Sequence, residues 1–458
     1  MTAFKPLILG ASALILALPA QAFGQTSEAP PSEVERIYDI AVAPSPERIR
    51  SDIQTLVDFG TRHTLSETES DTRGIGAARR WIFAEFEKIS ADCGGCLEVM
   101  YVSDTVEGED RIPEPTEVVS VLAIQKGSLD PNRYVMMSGD IDSRVSDPLN
   151  STSDSPGAND NASGMAGVLE AARVLSKEKF AGSIIYAGLS GEEQGLFGGK
   201  IVAKHAIEQG WNIKAMLNND MISNVTGVDG VSDNSTARVF SEGTRANETE
   251  AEARTRRFTG GEVDSPSRNL ARYIKAQADQ YMTNLNVMMI YRLDRFGRGG
   301  HHRPFNMVGI PGVRIMETHE NYNRQHQDLR TENGIVYGDT MEGVDEVYAA
   351  KLTALNAITM AGIAGAPPFP VNVEASGAVQ ASAKLKWETP SNASNLAGYR
   401  VHWRLTTEPE WTHSRFVGKV NEWEFKNLVI DNYFFGVSAV AKDGSETPVV
   451  FPGAAGRF

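Results

Sequence analysis

Acidic residues stand at the ends of apolar runs in this chain, and that placement is its strongest chemical signal. The run ending at Met137 leads into Ser138-Gly139-Asp140-Ile141-Asp142-Ser143, and Gly157-Ala158-Asn159-Asp160-Asn161-Ala162-Ser163-Gly164 opens a helical pattern. The run ending at Leu189 leads into Ser190-Gly191-Glu192-Glu193-Gln194-Gly195, and a further one ends in Asn218-Asn219-Asp220. Two histidine segments follow, Gly300-His301-His302-Arg303 and Arg324-Gln325-His326-Gln327-Asp328. Carboxylates gathered without cations repel one another at large cost, so a divalent metal is their natural neutraliser. Zinc takes His nitrogen and carboxylate oxygen at about 2.0 to 2.2 Å, and a catalytic zinc leaves a position open to water. Any one of these acids could cap a helix or face solvent; the set asks for more.

The elements that must position them alternate. Helical periodicity covers Glu33 to Ser90, then short apolar runs recur at Val118 to Ile124, Tyr134 to Met137, Ser183 to Leu189, Ala215 to Leu217 and Val313 to Met316, with helical patterns between several of them. This predicts an α/β domain over 33–365, with a mostly parallel central sheet, helices on both faces, and ligands bound outside the carboxyl ends of the strands. Residues 224–265, rich in Gly, Ser, Thr, Asn and Glu, read as a long insertion. After a helix at Glu346 to Ile363, Ala366-Pro367-Pro368-Phe369-Pro370 reads as a stiff linker, and the period changes to two. The alternation around Trp387, Tyr399 and Tyr433 predicts a β-sandwich over 366–458. The spacing of Trp387, Tyr399, Leu428 and Tyr433 resembles a fibronectin type III domain, in which a Tyr near the start of strand F makes a corner hydrogen bond. Trp411 and Trp423 could contact carbohydrate or protein; packing is their plainer role.

The 458 residues carry a net charge of -15, which argues against nucleic acid and anionic lipid as partners. Lys5, the apolar run Pro6 to Pro19 and Ala20-Gln21-Ala22 form a signal-peptide pattern over 1–22, so export to the periplasm or medium is expected, with no later membrane span. The only cysteines, Cys93 and Cys96, suit a local disulfide in an oxidising compartment. No GxSxG elbow, HExxH helix or GxxxxGK[ST] loop occurs, which removes three other chemistries.

The motifs GANDNASG, SGEEQGL, NNDM and RQHQD, in that order within strand-helix alternation, resemble the co-catalytic zinc exopeptidases, which include bacterial leucyl aminopeptidases, glutamate carboxypeptidase and glutaminyl cyclase. The likeness spans about residues 45 to 365. It implies two zinc ions bridged by Asp160, one completed by Glu193 and His326 and the other by Asp220, with Glu192 as general base. The implied activity is that of an aminopeptidase acting on N-terminal peptide bonds. Two metals about 3.5 to 4 Å apart can share a hydroxide and polarise the scissile carbonyl. Arg295 and Arg298 are candidates for an oxyanion donor, although surface placement suits either.

The chain departs from that pattern twice. Members of the family have His-x-Asp where Asp140-Ile141-Asp142 stands, and Asp before His where His301-His302 stands. An exchange follows as a hypothesis: Asp140 ligates or orients, His301 approaches the second metal or hydrogen-bonds Asp140, and Asp142 stands behind the ligand. If the second metal is lost, a single-zinc glutaminyl cyclase or a non-catalytic binding protein on the same scaffold becomes the alternative. His319 is a candidate outer-layer residue; His63, His205, His402 and His413 lack metal spacing.

Overall fold

The computed structural model describes residues 29–458; the signal-peptide segment lies outside them. Three helices open the chain, α1 (Glu35–Val42), α2 (Pro46–Asp58) and α3 (Gly74–Asp92). There follow β1 (Leu97–Val106), β2 (Thr116–Gln125), β3 (Asp130–Asp140), α4 (Gly164–Leu175), β4 (Gly182–Leu189), α5 (Phe197–Glu208) and β5 (Asn212–Asn219). The second half contributes β6 (Thr236–Ser241), α6 (Glu250–Thr259), α7 (Pro266–Tyr281), β7 (Asn286–Ile290), α8 (His302–Met307), β8 (Gly312–Met316), a small hairpin of β9 (Arg330–Glu332) and β10 (Ile335–Tyr337), and α9 (Glu346–Gly365).

Eight strands form one sheet in the order β1-β2-β4-β3-β5-β8-β6-β7. The central pairs β4-β3, β3-β5 and β5-β8 are parallel, while β1-β2, β2-β4 and β8-β6 are antiparallel, so the sheet is mixed rather than uniformly parallel. Strand β4 is buried along its whole length, as a strand covered on both faces must be. Helix α9 is apolar all round; among the described residues it is the one helix long and apolar enough to cross a membrane, and 89% of its apolar window is buried in this fold. That is the behaviour of a core helix.

The stretch 224–265 is not a peripheral insertion. Its segment Thr236–Ser241 is a sheet strand with Ala237, Val239 and Phe240 buried, and Thr249 caps α6 with a reciprocal Glu252 bond. Loop-forming composition on either side hides a strand this short from a periodicity reading. Cys93 and Cys96 are joined by a disulfide.

The C-terminal region is a sandwich of two three-stranded sheets. One has the order β11 (Val371–Ser376), β12 (Ala383–Glu388), β15 (Glu422–Phe425); the other has β14 (His413–Gly418), β13 (Leu396–Leu405), β16 (Tyr433–Ala441). Leu385, Trp387, Tyr399, Val401, Phe435 and Val437 fill the space between them. The Tyr399 hydroxyl donates to Thr389 Oγ1 at 2.7 Å. The expected linker is itself buried, with Ala366 O accepting from Arg133 Nη2 at 2.8 Å and Phe369 against Phe458. Trp411 faces the α/β domain, where its Nε1 donates to Asn269 Oδ1 at 3.1 Å. Beside it Asp264 accepts from both Arg404 Nη2 at 2.7 Å and Arg272 Nη1 at 2.8 Å, a buried ion triad that joins the two domains.

Candidate active site

Parallel strands deliver their carboxyl ends to one edge of the sheet, and the acids of the sequence motifs meet there. Asp140 ends β3, Glu192 and Glu193 follow β4, Asp220 follows β5, and Glu317 follows β8. Asp160 comes from an irregular turn, Ala158–Ser163, that leads into α4. This turn is held by buried groups that motif reading does not single out. Asp339 accepts from the backbone N–H groups of Asn159 and Asp160, at 3.0 and 2.6 Å, and Arg62 donates to the Gly157 carbonyl at 2.9 Å. Gly157 has φ +50, and a Cβ there would stand 2.5 Å from Asp160 O, so the turn requires glycine.

Three donor groups converge. His326 Nε2 lies 2.9 Å from Glu193 Oε1 and 3.0 Å from Asp160 Oδ2, and these are the described residues' one cluster of three or more His, Cys, Asp or Glu that could hold an ion. Burial alone would lower the imidazole pKa, but the Glu193 and Asp160 charges outweigh it and lift His326 to about 9. Asp160 and Glu193 are held low despite burial, chiefly by His326. Such a cage of two carboxylates and one imidazole fits zinc and leaves a fourth position open. Arg144 reaches behind it, its Nε donating to Glu193 Oε2 at 2.8 Å and its Nη2 lying 2.7 Å from His326 Nδ1. Metal on Nε2 places the ring proton on Nδ1, so loading requires Arg144 to give up that second contact.

The second set of donors is not assembled. Asp140 Oδ1 lies 2.6 Å from His301 Nδ1, and Asp140 Oδ2 accepts from Asn161 Nδ2 at 2.7 Å. Burial raises the Asp140 carboxyl and lowers the His301 imidazole. Asp220 Oδ2 is held at 2.7 Å by Arg314, a guanidinium with no exposed surface, while Asp220 Oδ1 is buried and unpartnered. A carboxylate at position 140 also reaches less far than an imidazole would. Asp140, turned to His301, and Asp220, turned to Arg314, form no second cluster with Asp160 among the described residues.

Asp142 stands behind the loop that carries Glu192 and Glu193. Its carboxylate accepts the backbone N–H groups of Glu192 and Glu193, at 3.2 and 3.0 Å, which fixes the loop that presents both. Glu192 shares the cavity but stays outside the donor cluster. Burial first, then the charges of Asp220 and Glu193, raise its carboxyl well above the usual range. His319 takes part only through its carbonyl, which accepts from Asn224 Nδ2 at 2.7 Å.

The cavity measures about 240 Å³. Arg295 and Arg298 line it rather than lying apart on the surface, along with Arg111, Arg144 and Arg303. Arginines scattered along 190 residues of sequence carry no spacing signal, so only the fold shows them together. A larger cleft of about 700 Å³ around the Cys93–Cys96 disulfide contains none of these donors.

A mixed α/β sheet with carboxylates and an imidazole gathered at the carboxyl ends of its central strands is the architecture of a metal-dependent hydrolase. The chain belongs to Peptidase family M28, whose model matches residues 120–343. It is 43% identical over 94% of its length, and 99% of the relative's, to a protein of Leptosphaeria maculans named "Probable zinc metalloprotease". A protein of the same name in Pyrenophora teres is 44% identical over 89% of this chain and 85% of its own. Among solved structures, the Legionella pneumophila LapA aminopeptidase aligns with TM-score 0.53 and 19% identity over 74% of this chain and 78% of its own, a likeness of fold.

Proposed function

We propose that this protein is a zinc-dependent exopeptidase of the aminopeptidase type, with one zinc ion held by Asp160, Glu193 and His326 and with Glu192 as general base. The single observation that carries the reading is that cluster, with Glu192 beside it in the same cavity and free of it. The names of the relatives support the choice of zinc. Bound zinc supplies a Lewis acid that polarises the scissile carbonyl and acidifies water.

The chain's own residues do the rest. Glu192 Oε accepts the proton of the attacking water and hands it to the leaving amine. Asp142 keeps Glu192 in place through the backbone. Asp220 Oδ1, buried and unpartnered, accepts from the ammonium of the substrate's first residue. Arg295, locked to Glu320 at 2.8 Å, lends positive charge to the developing oxyanion. The reading includes export of the mature chain to periplasm or medium and a fibronectin type III-like C-terminal domain.

The single complete metal cluster also suits a glutaminyl cyclase, which forms an amide ring instead of adding water. Zinc-loaded protein given an aminoacyl anilide and a peptide with N-terminal Gln separates the two. Release of the free aniline with no loss of ammonia from the Gln peptide supports the peptidase; the reverse sinks it.

A further inference from the structure

Five guanidinium groups, Arg111, Arg144, Arg295, Arg298 and Arg303, line the same small cavity as the carboxylates Asp160, Glu192, Glu193 and Asp220. Two of the five are engaged: Arg144 pairs with Glu193 at 2.8 Å, and Arg295 with Glu320 at 2.8 Å. The other three have no carboxylate within 3.5 Å among the described residues. Arg111 donates to the Glu193 carbonyl at 2.6 Å. Arg298 has Glu320 only at 3.9 Å and donates instead to the neutral Gln325 Oε1 at 3.1 Å. Arg303 lies across Gly299, where a Cβ would stand 2.5 Å from its Nη1, so the missing side chain is what lets it fold back toward the cavity.

Arg298 is not a loose surface cation. Gln325, which accepts from it, donates through Nε2 to Asp160 Oδ2 at 3.2 Å, so the guanidinium is tied through one amide to a metal-site carboxylate. Asp160 and Glu193 are engaged by His326, so the charge an incoming group meets beside Arg298 and Arg303 is positive. An ammonium is repelled there and a neutral amide leaves both guanidiniums unpaired. A carboxylate can take two parallel N–H donors from each.

We infer that the substrate is a short peptide bearing a carboxylate close to the scissile bond, and that Arg298 and Arg303 receive that carboxylate. The inference rests on the exopeptidase reading and narrows it to peptides with an acidic end. The group is either the α-carboxylate of a dipeptide or an acidic side chain at the second residue, and the chemistry of recognition is the same.

Binding tests this without requiring turnover. Zinc-loaded Glu192→Gln protein is titrated calorimetrically with alanyl-alanine, with its C-terminal amide, and with alanyl-aspartyl amide. The free dipeptide is expected to bind about tenfold or more tightly than its amide, a difference of about 1.4 kcal/mol. Recovery of affinity by alanyl-aspartyl amide assigns the carboxylate to the side chain; no recovery assigns it to the chain end. Arg298→Gln and Arg303→Gln, each added to that protein, erase the discrimination, and Arg298→Lys restores part of it; unchanged urea unfolding shows that folding is intact. Equal affinity for alanyl-alanine, its amide and alanyl-aspartyl amide, or no binding of any of the three at millimolar peptide, overturns the inference. Failure of the wild type to hydrolyse any peptide sinks the peptidase reading alone, because the binding comparison stands apart from it.

Discussion

His301 Nδ1 lies 2.6 Å from Asp140 Oδ1, and both side chains are closed off from solvent. Asp140 ends β3 with the His301 imidazole against it, the hydrogen bond that the exchange hypothesis expects. Exchanging them back, in Asp140→His with His301→Asp, returns an imidazole to the sheet edge with a carboxylate behind it. Zinc content by elemental analysis is expected to rise from one ion per chain to two. A double variant still holding one zinc would show that Arg314, not the exchange, closes the second site.

Glu192→Gln keeps the size of the side chain and its backbone bond to Asp142 but cannot take a proton. We expect kcat to fall by about 10²- to 10⁴-fold, the usual contribution of a general base, with zinc content unchanged. Activity within twofold of the wild type on an aminoacyl anilide would remove Glu192 from the mechanism.

Arg314 bridges Asp220 at 2.7 Å and Asp294 at 3.3 Å with no surface exposed. Arg314→Met leaves two buried carboxylates without their cation, at a cost of about 3 to 5 kcal/mol. Urea unfolding of the metal-free protein reads this as a lower midpoint. An unchanged midpoint would mean that water reaches the pair.

Acid should destabilise the fold through His302. Its Nε2 donates to Leu293 O at 2.9 Å, and burial lowers its pKa to about 4 from an ordinary value of 6.5. Because the folded value is the lower one, the unfolded chain binds the extra proton. This contribution is therefore complete above pH 6.5 and declines as pH falls toward 4, by about 3 kcal/mol in all. Unfolding free energies across that range should fall more steeply for wild type than for His302→Gln; parallel curves would refute the assignment.

The two domains are joined by Asp264, held between Arg272 and Arg404. Asp264→Ala strands two buried guanidiniums and should cost about 3 to 5 kcal/mol. Protease cleavage near 366–370, a segment now buried, is expected to quicken. A variant as resistant as the wild type would show that apolar contacts such as Phe369 on Phe458 hold the joint unaided.

Much of the fold was legible in local pattern. Buried strands such as β4 read as continuous apolar runs because both faces are covered, and Ser45 and Ser265, each followed by Pro, mark where α2 and α7 begin. Strands β6 and β7 were not legible. Only five or six residues long, they owe their place to long-range pairing, β6 beside β8 and β7 beside β6, which has no local signature.

The sequence by itself determined that acids follow successive strands, read from periodicity, and the resemblance of its motifs to a known family singled out Asp160, Glu192, Glu193 and His326 as one site. It also marked Asp140 and His301 as a matched departure. Tertiary structure alone decided what those groups do. It showed Asp220 held by Arg314, Asp142 serving the Glu192 loop, and three arginines lining the cavity with no carboxylate within 3.5 Å among the described residues. The reason is physical: a ligand motif is written in neighbouring residues, whereas the charge that balances a buried carboxylate can come from any distance along the chain.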